Sequence, residues 1–276
     1  MNTTMSIPFT KSLAKYYAIT RVSWKNTQAF LINTLTRSGI VVLRIGIFFQ
    51  VYLATYTSNN ITTVNGFDVN MVVWSLVFAQ SIQSATRPPV SNAIQEEVQS
   101  GTLSYSINRP YSFILFQLFN RLGTFLLNVG MNIGLVAVVA WLIVGAPYSI
   151  TPMGLFAGLI LLLGGFLLDF WINMIIGICA FWLEDIKAIN WMYSKGMLIL
   201  GGLVIPLPLF PDNLRSVVEL LPFPYLFASS AQQIVNFESD IFIKFLGIQI
   251  IWILVFAFIS KILFSHAIKY VSHNGG

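Results

Sequence analysis

Few side chains in this sequence are equipped for chemistry, and they are scattered. Glu96 and Glu97 are adjacent carboxylates, and paired carboxylates can act as proton donor and acceptor. Helical neighbours point about 100° apart, and no third polar group accompanies this pair, so acid–base catalysis is a poor reading. His266 and His273 lie near the C-terminus. The His pair of a zinc protease and the Gly-x-Ser-x-Gly nucleophile elbow are absent. The single cysteine, Cys179, forms no internal disulfide or Cys-based metal site, and its apolar run suits a buried, inert thiol. Asp169 sits between Leu168 and Phe170-Trp171. A carboxylate at a bilayer centre costs on the order of 3 kcal/mol, so Asp169 needs a partner or a task. A salt bridge to Arg44 is one reading and proton coupling the other. Gln80 and Ser84 are spaced i, i+4, with Gln83 beside them and Arg87 a turn further on. They either face a central cavity or hydrogen-bond between helices, at about 1 kcal/mol each. Asn120, Asn128 and Asn132 fall on roughly one face and read as packing contacts.

The elements that carry these residues are set by composition. Among 276 residues there are 15 Lys+Arg and 10 Asp+Glu, so charged residues make up 9% against roughly 25% in a soluble domain. Hydrophobic residues reach 56%, and mean hydropathy is +0.77. This excludes an ordinary cytosolic enzyme, a disordered chain and, despite pI ≈ 9.4, a nucleic-acid binder. The composition predicts one polytopic, all-α membrane domain over 1–276. The N-terminus lacks a signal peptide pattern.

A spanning helix needs about 20 apolar residues. Spans are expected near 38–56, 69–86, 113–145, 153–183 and 241–264, with Lys244 and Lys261 snorkelling at the ends of the last. The fifth is irregular: an apolar stretch ending near Pro206, then 207–238, broken by Pro208, Pro211, Pro222 and Pro224. Proline removes helix donors, and lipid offers no replacement partner. We read a span followed by a hairpin dipping back into the same leaflet; two short full spans are the alternative. Lys and Arg cluster before span 1, between spans 2 and 3, between spans 4 and 5, and after span 6, whereas 57–68 and 146–152 have none. The positive-inside rule then gives six spans with both termini cytoplasmic.

Two further elements stand out. Over 8–28, Phe9, Leu13, Tyr16, Tyr17 and Trp24 fill one arc of a helical wheel, and Lys11, Lys15, Arg21 and Lys25 roughly the other. This suits a helix in the cytoplasmic interface, touching membrane lipids. In the loop 87–110, Pro88-Pro89 stops the second span, Ser91 or Asn92 can cap a short helix over 92–101, and Gly101 fits its C′ position. Ile94 and Val98 lie on one side of that helix and Glu96 and Glu97 on another. Such a stiff acidic helix suits docking of a soluble partner; an ordinary solvated loop is the alternative.

Here the residues become recognisable. Glu97-x-x-x-Gly101-Thr102-Leu103 followed by Arg109-Pro110-Tyr111-Ser112 resembles the cytoplasmic loop of ABC-2 type transporter permeases. The block Gly201-Gly202-Leu203-Val204-Ile205-Pro206-Leu207-Pro208 with Leu220-Leu221-Pro222-Phe223 resembles the same family, as do Lys15-Tyr16-Tyr17 and the Gly275-Gly276 end. The likeness spans essentially the whole chain and points to the bacterial permeases without a fused ATPase. It departs at Glu96-Glu97, where many members carry a basic-acidic pair. It implies six transmembrane helices, an interfacial N-terminal helix, a coupling helix between spans 2 and 3, and a re-entrant extracellular hairpin after span 5.

By the same likeness, the chain forms half of an exporter's translocation path in the bacterial inner membrane. It pairs with an identical or paralogous second permease and with two cytosolic ATPase subunits. ATP-coupling contacts fall to Asn92, Ile94, Glu96, Glu97, Val98, Gly101, Arg109 and Pro110. Gln80, Gln83, Ser84 and Asp169 are candidates for the path. The chain has no Walker A motif, so ATP and Mg belong on the ATPase and no cofactor on this chain. A lipid-modifying membrane enzyme and a secondary transporter are the competing readings; the first lacks a companion set for Asp169 and His266. The substrate is not legible in the residues.

Overall fold

A computed structural model describes residues 9–29, 31–109, 111–183 and 185–274, with side chains between 14 and 269. Pro110, Gly275 and Gly276 lie outside the described residues, as do the side chains of Phe9, Lys11, Leu13 and His273. Eleven α-helices follow one another among the described residues: α1 Phe9–Gln28, α2 Leu31–Ser58, α3 Val69–Ala85, α4 Val90–Gln99, α5 Leu103–Ile107, α6 Phe113–Val144, α7 Pro152–Ile178, α8 Lys187–Leu200, α9 Asp212–Val218, α10 Ala228–Val235 and α11 Ser239–Asn274. The chain marks several starts with side-chain caps. Asp68 accepts from the Met71 N–H at 2.8 Å, and Thr151 from the Gly154 N–H at 3.0 Å, with Pro152 in the first turn where its missing N–H costs nothing.

Among the described residues four helices are long and apolar enough to cross a membrane: Leu31–Ser58, Phe113–Val144, Pro152–Phe181 and Ser239–Lys269. The other two expected spans look different. α3 has 17 residues, about 25 Å of helix, and is buried along nearly all its length between α2, α6 and α10. α8 stops at Leu200, not near Pro206 as expected. The reason is local: Gly202 takes φ +71°, and Pro206 has no N–H to continue a helix. The irregular backbone that follows is held by neighbours. Tyr52 donates to the Val204 carbonyl at 2.8 Å and Gln80 to the Leu203 carbonyl at 2.9 Å. Non-helical backbone at membrane depth is tolerated where protein groups satisfy it.

α7 is the central helix, with α4, α10 and α11 packed on it. Its glycines allow this. A Cβ on Gly158 would lie 2.2 Å from Ile234 Cγ1, and one on Gly165 only 1.8 Å from the Leu226 carbonyl oxygen. Every residue of α10 is buried, Ser230 donating to the Gly158 carbonyl at 2.9 Å. α1 is clipped to α6: Thr20 and Ser23 donate to the Phe119 and Asn120 carbonyls, and Tyr16 stacks on Phe119 at 5.0 Å. Part of the aromatic arc assigned to lipid therefore faces protein.

The loops sort into two ends. At one, Asn65 reaches Pro208, and Asn70 and Trp74 reach Ala146 and Gly145. Those are the segments without Lys or Arg, joined to the proline-broken stretch. At the other, α4 meets the start of α8, and Arg37 and Arg121 bond the backbone of Arg87 and Thr86.

Candidate functional site

The basic end is built around α4. Pro88 and Pro89 end the run from α3, and Pro89 occupies the N-cap of α4 without a side-chain cap. Ser91 and Asn92 do not cap it, contrary to expectation. The Ser91 hydroxyl is buried and turned to Asn190 Oδ1 at 2.9 Å and Asn173 Oδ1 at 3.3 Å. Asn92 accepts from Asn190 Nδ2 at 3.0 Å. Gly101 follows the C-cap Ser100 with φ +71°, and its N–H bonds the Val98 carbonyl. That left-handed position favours glycine.

The apolar side of α4 is already occupied within the chain. Ile94 is 1% exposed and sits against Gly177 of α7. It joins Val90, Leu103, Phe113, Phe170, Met174 and Ile178 in one cluster, with Val98 packed at its edge. The expectation that Ile94 offers a buried contact to a partner is corrected: an apolar side chain with Gly177 beneath it is already out of water. Glu97 is half-buried and accepts from Gln117 of α6 at 3.2 Å. Glu96 is exposed, as are Asn92, Ala93, Gln99 and Ser100. Gln95 donates to Asp185 at 3.1 Å. Hydrogen bonds from the Lys187 side chain and N–H hold the Asp185 carboxyl below its ordinary range. α4 is thus fastened to α6, α7, α8 and Asp185, and presents a polar, acidic outer strip. Arg109 is exposed, lies 4.9 Å over the Tyr105 ring and donates to the Tyr111 hydroxyl at 2.7 Å.

The four path candidates separate. Gln80 is fully buried and bonds backbone, so it stabilises the break after α8. Asp169 makes no salt bridge to Arg44. It is buried, and accepts from the Tyr193 hydroxyl at 2.7 Å and Asn173 Nδ2 at 3.0 Å. Neutral donors satisfy a carboxylate without a second charge to desolvate. Gln83 and Ser84 do line an open cleft between α2 and α3, with Arg37, Ile40, Val41, Arg44 and Arg87. Asn128 and Asn132 accept from Thr34 at 3.0 Å and Ser38 at 2.5 Å, as packing contacts should.

Sequence reasoning missed the α7 glycines, the Tyr193 partner of Asp169 and the arginine cleft. Gly154-x-x-x-Gly158 is a legible small-residue spacing for close helix packing. Arg44, the one charged residue in the stretch 38–56, was the legible sign of the cleft, since a mid-helix arginine costs about 3 kcal/mol unless water or a partner meets it. Among the described residues no cluster of His, Cys, Asp and Glu is arranged to hold a metal.

A search of curated proteins finds no match to the chain. The family described as ABC-2 family transporter protein matches residues 40–274, which takes in the cleft apart from Arg37, α4, α7 and the proline-broken segment. By that match, over most of its length, this all-helical membrane chain belongs to the ABC-2 family of transporter proteins.

Proposed function

We propose that the chain is the membrane subunit of an ATP-driven exporter, forming half of its path and coupling at α4 to a cytosolic ATPase, two permeases and two ATPase subunits making up the whole. The observation that carries the docking is the two-sidedness of α4. Its apolar face is bolted to α7, while Asn92, Ala93, Glu96 and Gln99 face outward. A docking helix needs this arrangement, because a force applied to the outer strip reaches the bundle only if the inner face is rigid. The contacts of α4 name the receivers: Gly177 on α7, Gln117 on α6 and Asn190 on α8. ATPase closure would move these three together, with α3 following through Pro88-Pro89. Arg109, beside Tyr105 and Tyr111, marks the start of α6 and extends the same surface.

On this reading the lysine- and arginine-rich end lies in the cytoplasm. The break after α8 and the segment through α10 form the re-entrant part on the opposite side, so that α3 and α8 complete six passages. A second copy or a paralogue closes the path, and α8, with exposed Trp191 and Ile199, offers a face for it. The bacterial inner membrane is the expected site, with ATP and Mg handled by the partner.

The test is affinity purification of the tagged full-length chain from its own cells in mild detergent. An ATPase recovered in stoichiometric amount, and lost with Glu96→Lys, is the expected result. Transport by the purified chain without any ATPase would overturn the reading in favour of a secondary transporter.

A further inference from the structure

The cleft between α2 and α3 carries more positive charge than any role so far explains. Arg37, Arg44 and Arg87 line it, with Gln83 and Ser84 between them. Arg37 Nη1 donates to the Arg87 carbonyl at 2.5 Å, which brings two like charges together. Arg87 also donates to Ser194 Oγ at 3.0 Å. Behind them Arg121, spent on the Thr86 carbonyl, adds a fourth guanidinium. The ion pairs among the described residues are Lys187–Asp185, Arg215–Glu219 and Lys244–Glu219, and none of them involves this cluster. Asp169 is near enough to be felt by Arg87 and Arg121, but it forms no salt bridge with them; its Oδ1 accepts from Tyr193 and Asn173. Arg44, near the midpoint of the 28-residue α2, has no hydrogen bond or ion pair among the described residues, and Gln83 leaves its side-chain amide equally unengaged.

We propose that this cleft binds a phosphate-type oxyanion carried as the headgroup of a lipid-like amphiphile. Guanidinium forks match phosphate oxygens two at a time, and an amide and a hydroxyl complete a donor set for the remaining lone pairs. The tail is indicated by what lies above the arginines. Ile47 and Val51 continue the Arg44 stripe of α2 at helical spacing, and are 64% and 53% exposed. From Arg44 to Val51 is about 10 Å of helix, long enough for the first segment of an acyl chain. An arginine buried mid-helix in lipid without an anion is costly, and an incoming headgroup removes that cost. The inference deepens the permease reading by naming the class of molecule that enters from the membrane beside the path. Binding itself does not depend on the ATPase, so the two fail separately.

The experiment measures thermal unfolding of the purified full-length chain, with its ATPase where it co-purifies. Dioctanoyl phosphatidic acid, dioctanoyl phosphatidylcholine and inorganic phosphate are titrated in parallel. Phosphatidic acid, whose phosphate carries no cation of its own, should raise the unfolding midpoint saturably; phosphatidylcholine, whose ammonium cancels the phosphate charge and would meet the arginines, should not. Arg44→Gln removes a side chain with no hydrogen bond or ion pair among the described residues, so folding survives; it should weaken phosphatidic acid about tenfold, and Arg44→Lys should recover part of that. Protection by inorganic phosphate at the same concentration would keep the anion site and overturn the amphiphile. Equal responses to the two lipids, or wild-type affinity in Arg44→Gln, would overturn the proposal. Loss of the ATPase with lipid protection intact would sink the permease reading alone.

Discussion

Replacing Ile94 with alanine separates what α4 does inward from what it does outward. Three carbons leave a site that is 1% exposed. At about 0.8 kcal/mol per buried carbon the transfer loss is about 2.4 kcal/mol. The hole adds to it, because its floor is Gly177, which has no side chain to move in. A total of about 3–4 kcal/mol follows, enough to raise local opening of α4 at least a hundredfold. Hydrogen exchange across 90–99 should accelerate by that factor, while α6 and α7 stay protected by their other contacts. The outer strip is untouched, so the ATPase should still be recovered, but substrate should stimulate its turnover far less. Glu96→Lys should do the reverse: unchanged exchange, and at least a tenfold loss of ATPase recovery, since like charges at an interface cost several kcal/mol. Wild-type exchange in Ile94→Ala would refute the packing argument. Wild-type ATPase recovery in Glu96→Lys would refute the docking face.

Glycine at 165 should be indispensable, because a Cβ there meets backbone at 1.8 Å, whereas Gly247 has nothing within 4 Å. Gly165→Ala should abolish the monodisperse peak in size-exclusion chromatography and Gly247→Ala should leave it unchanged. Glu219 offers a pH test. Burial raises its carboxyl, but hydrogen bonds from Lys244 at 2.6 Å and Arg215 at 2.8 Å outweigh this and hold it below its ordinary value. A lowered native value means the stabilisation is full above the unfolded value of about 4.3 and is lost as pH falls through the native one. Acid unfolding followed by near-UV dichroism should therefore lose part of its slope in Glu219→Gln; an unaltered curve would contradict the pairing. Cysteines at Asn59 and Tyr148 should label only from outside intact cells, and one at Glu96 only after permeabilisation; external labelling at 96 would invert the topology.

Composition and the periodicity of charge settled much of this protein in advance. A chain with 9% charged residues cannot fold in water around one core, so the membrane class and the long apolar helices were legible from residue counts. Prolines and glycines act on their own backbone, which is why the breaks at 88–89 and 146–152, the proline-broken stretch after Pro206 and the left-handed Gly101 were legible too, though α8 ends earlier, at Leu200. Partners were not. Asp169 was matched with Arg44 because opposite charges attract at any distance in a sequence, yet the fold brings Tyr193 to it and leaves Arg44 in the cleft. Ile94 looked like a partner contact because an apolar residue on a short loop helix has no visible cover, and only the position of Gly177 on α7 supplies one. Gln80 looked like path lining until the backbone of Leu203 was placed against it. Helix, turn and burial tendency are local and travel with the residue, but which side chain meets which depends on the packing of α7 against α4 and α10. Contact is decided by the whole fold at once, and only the tertiary structure contains it.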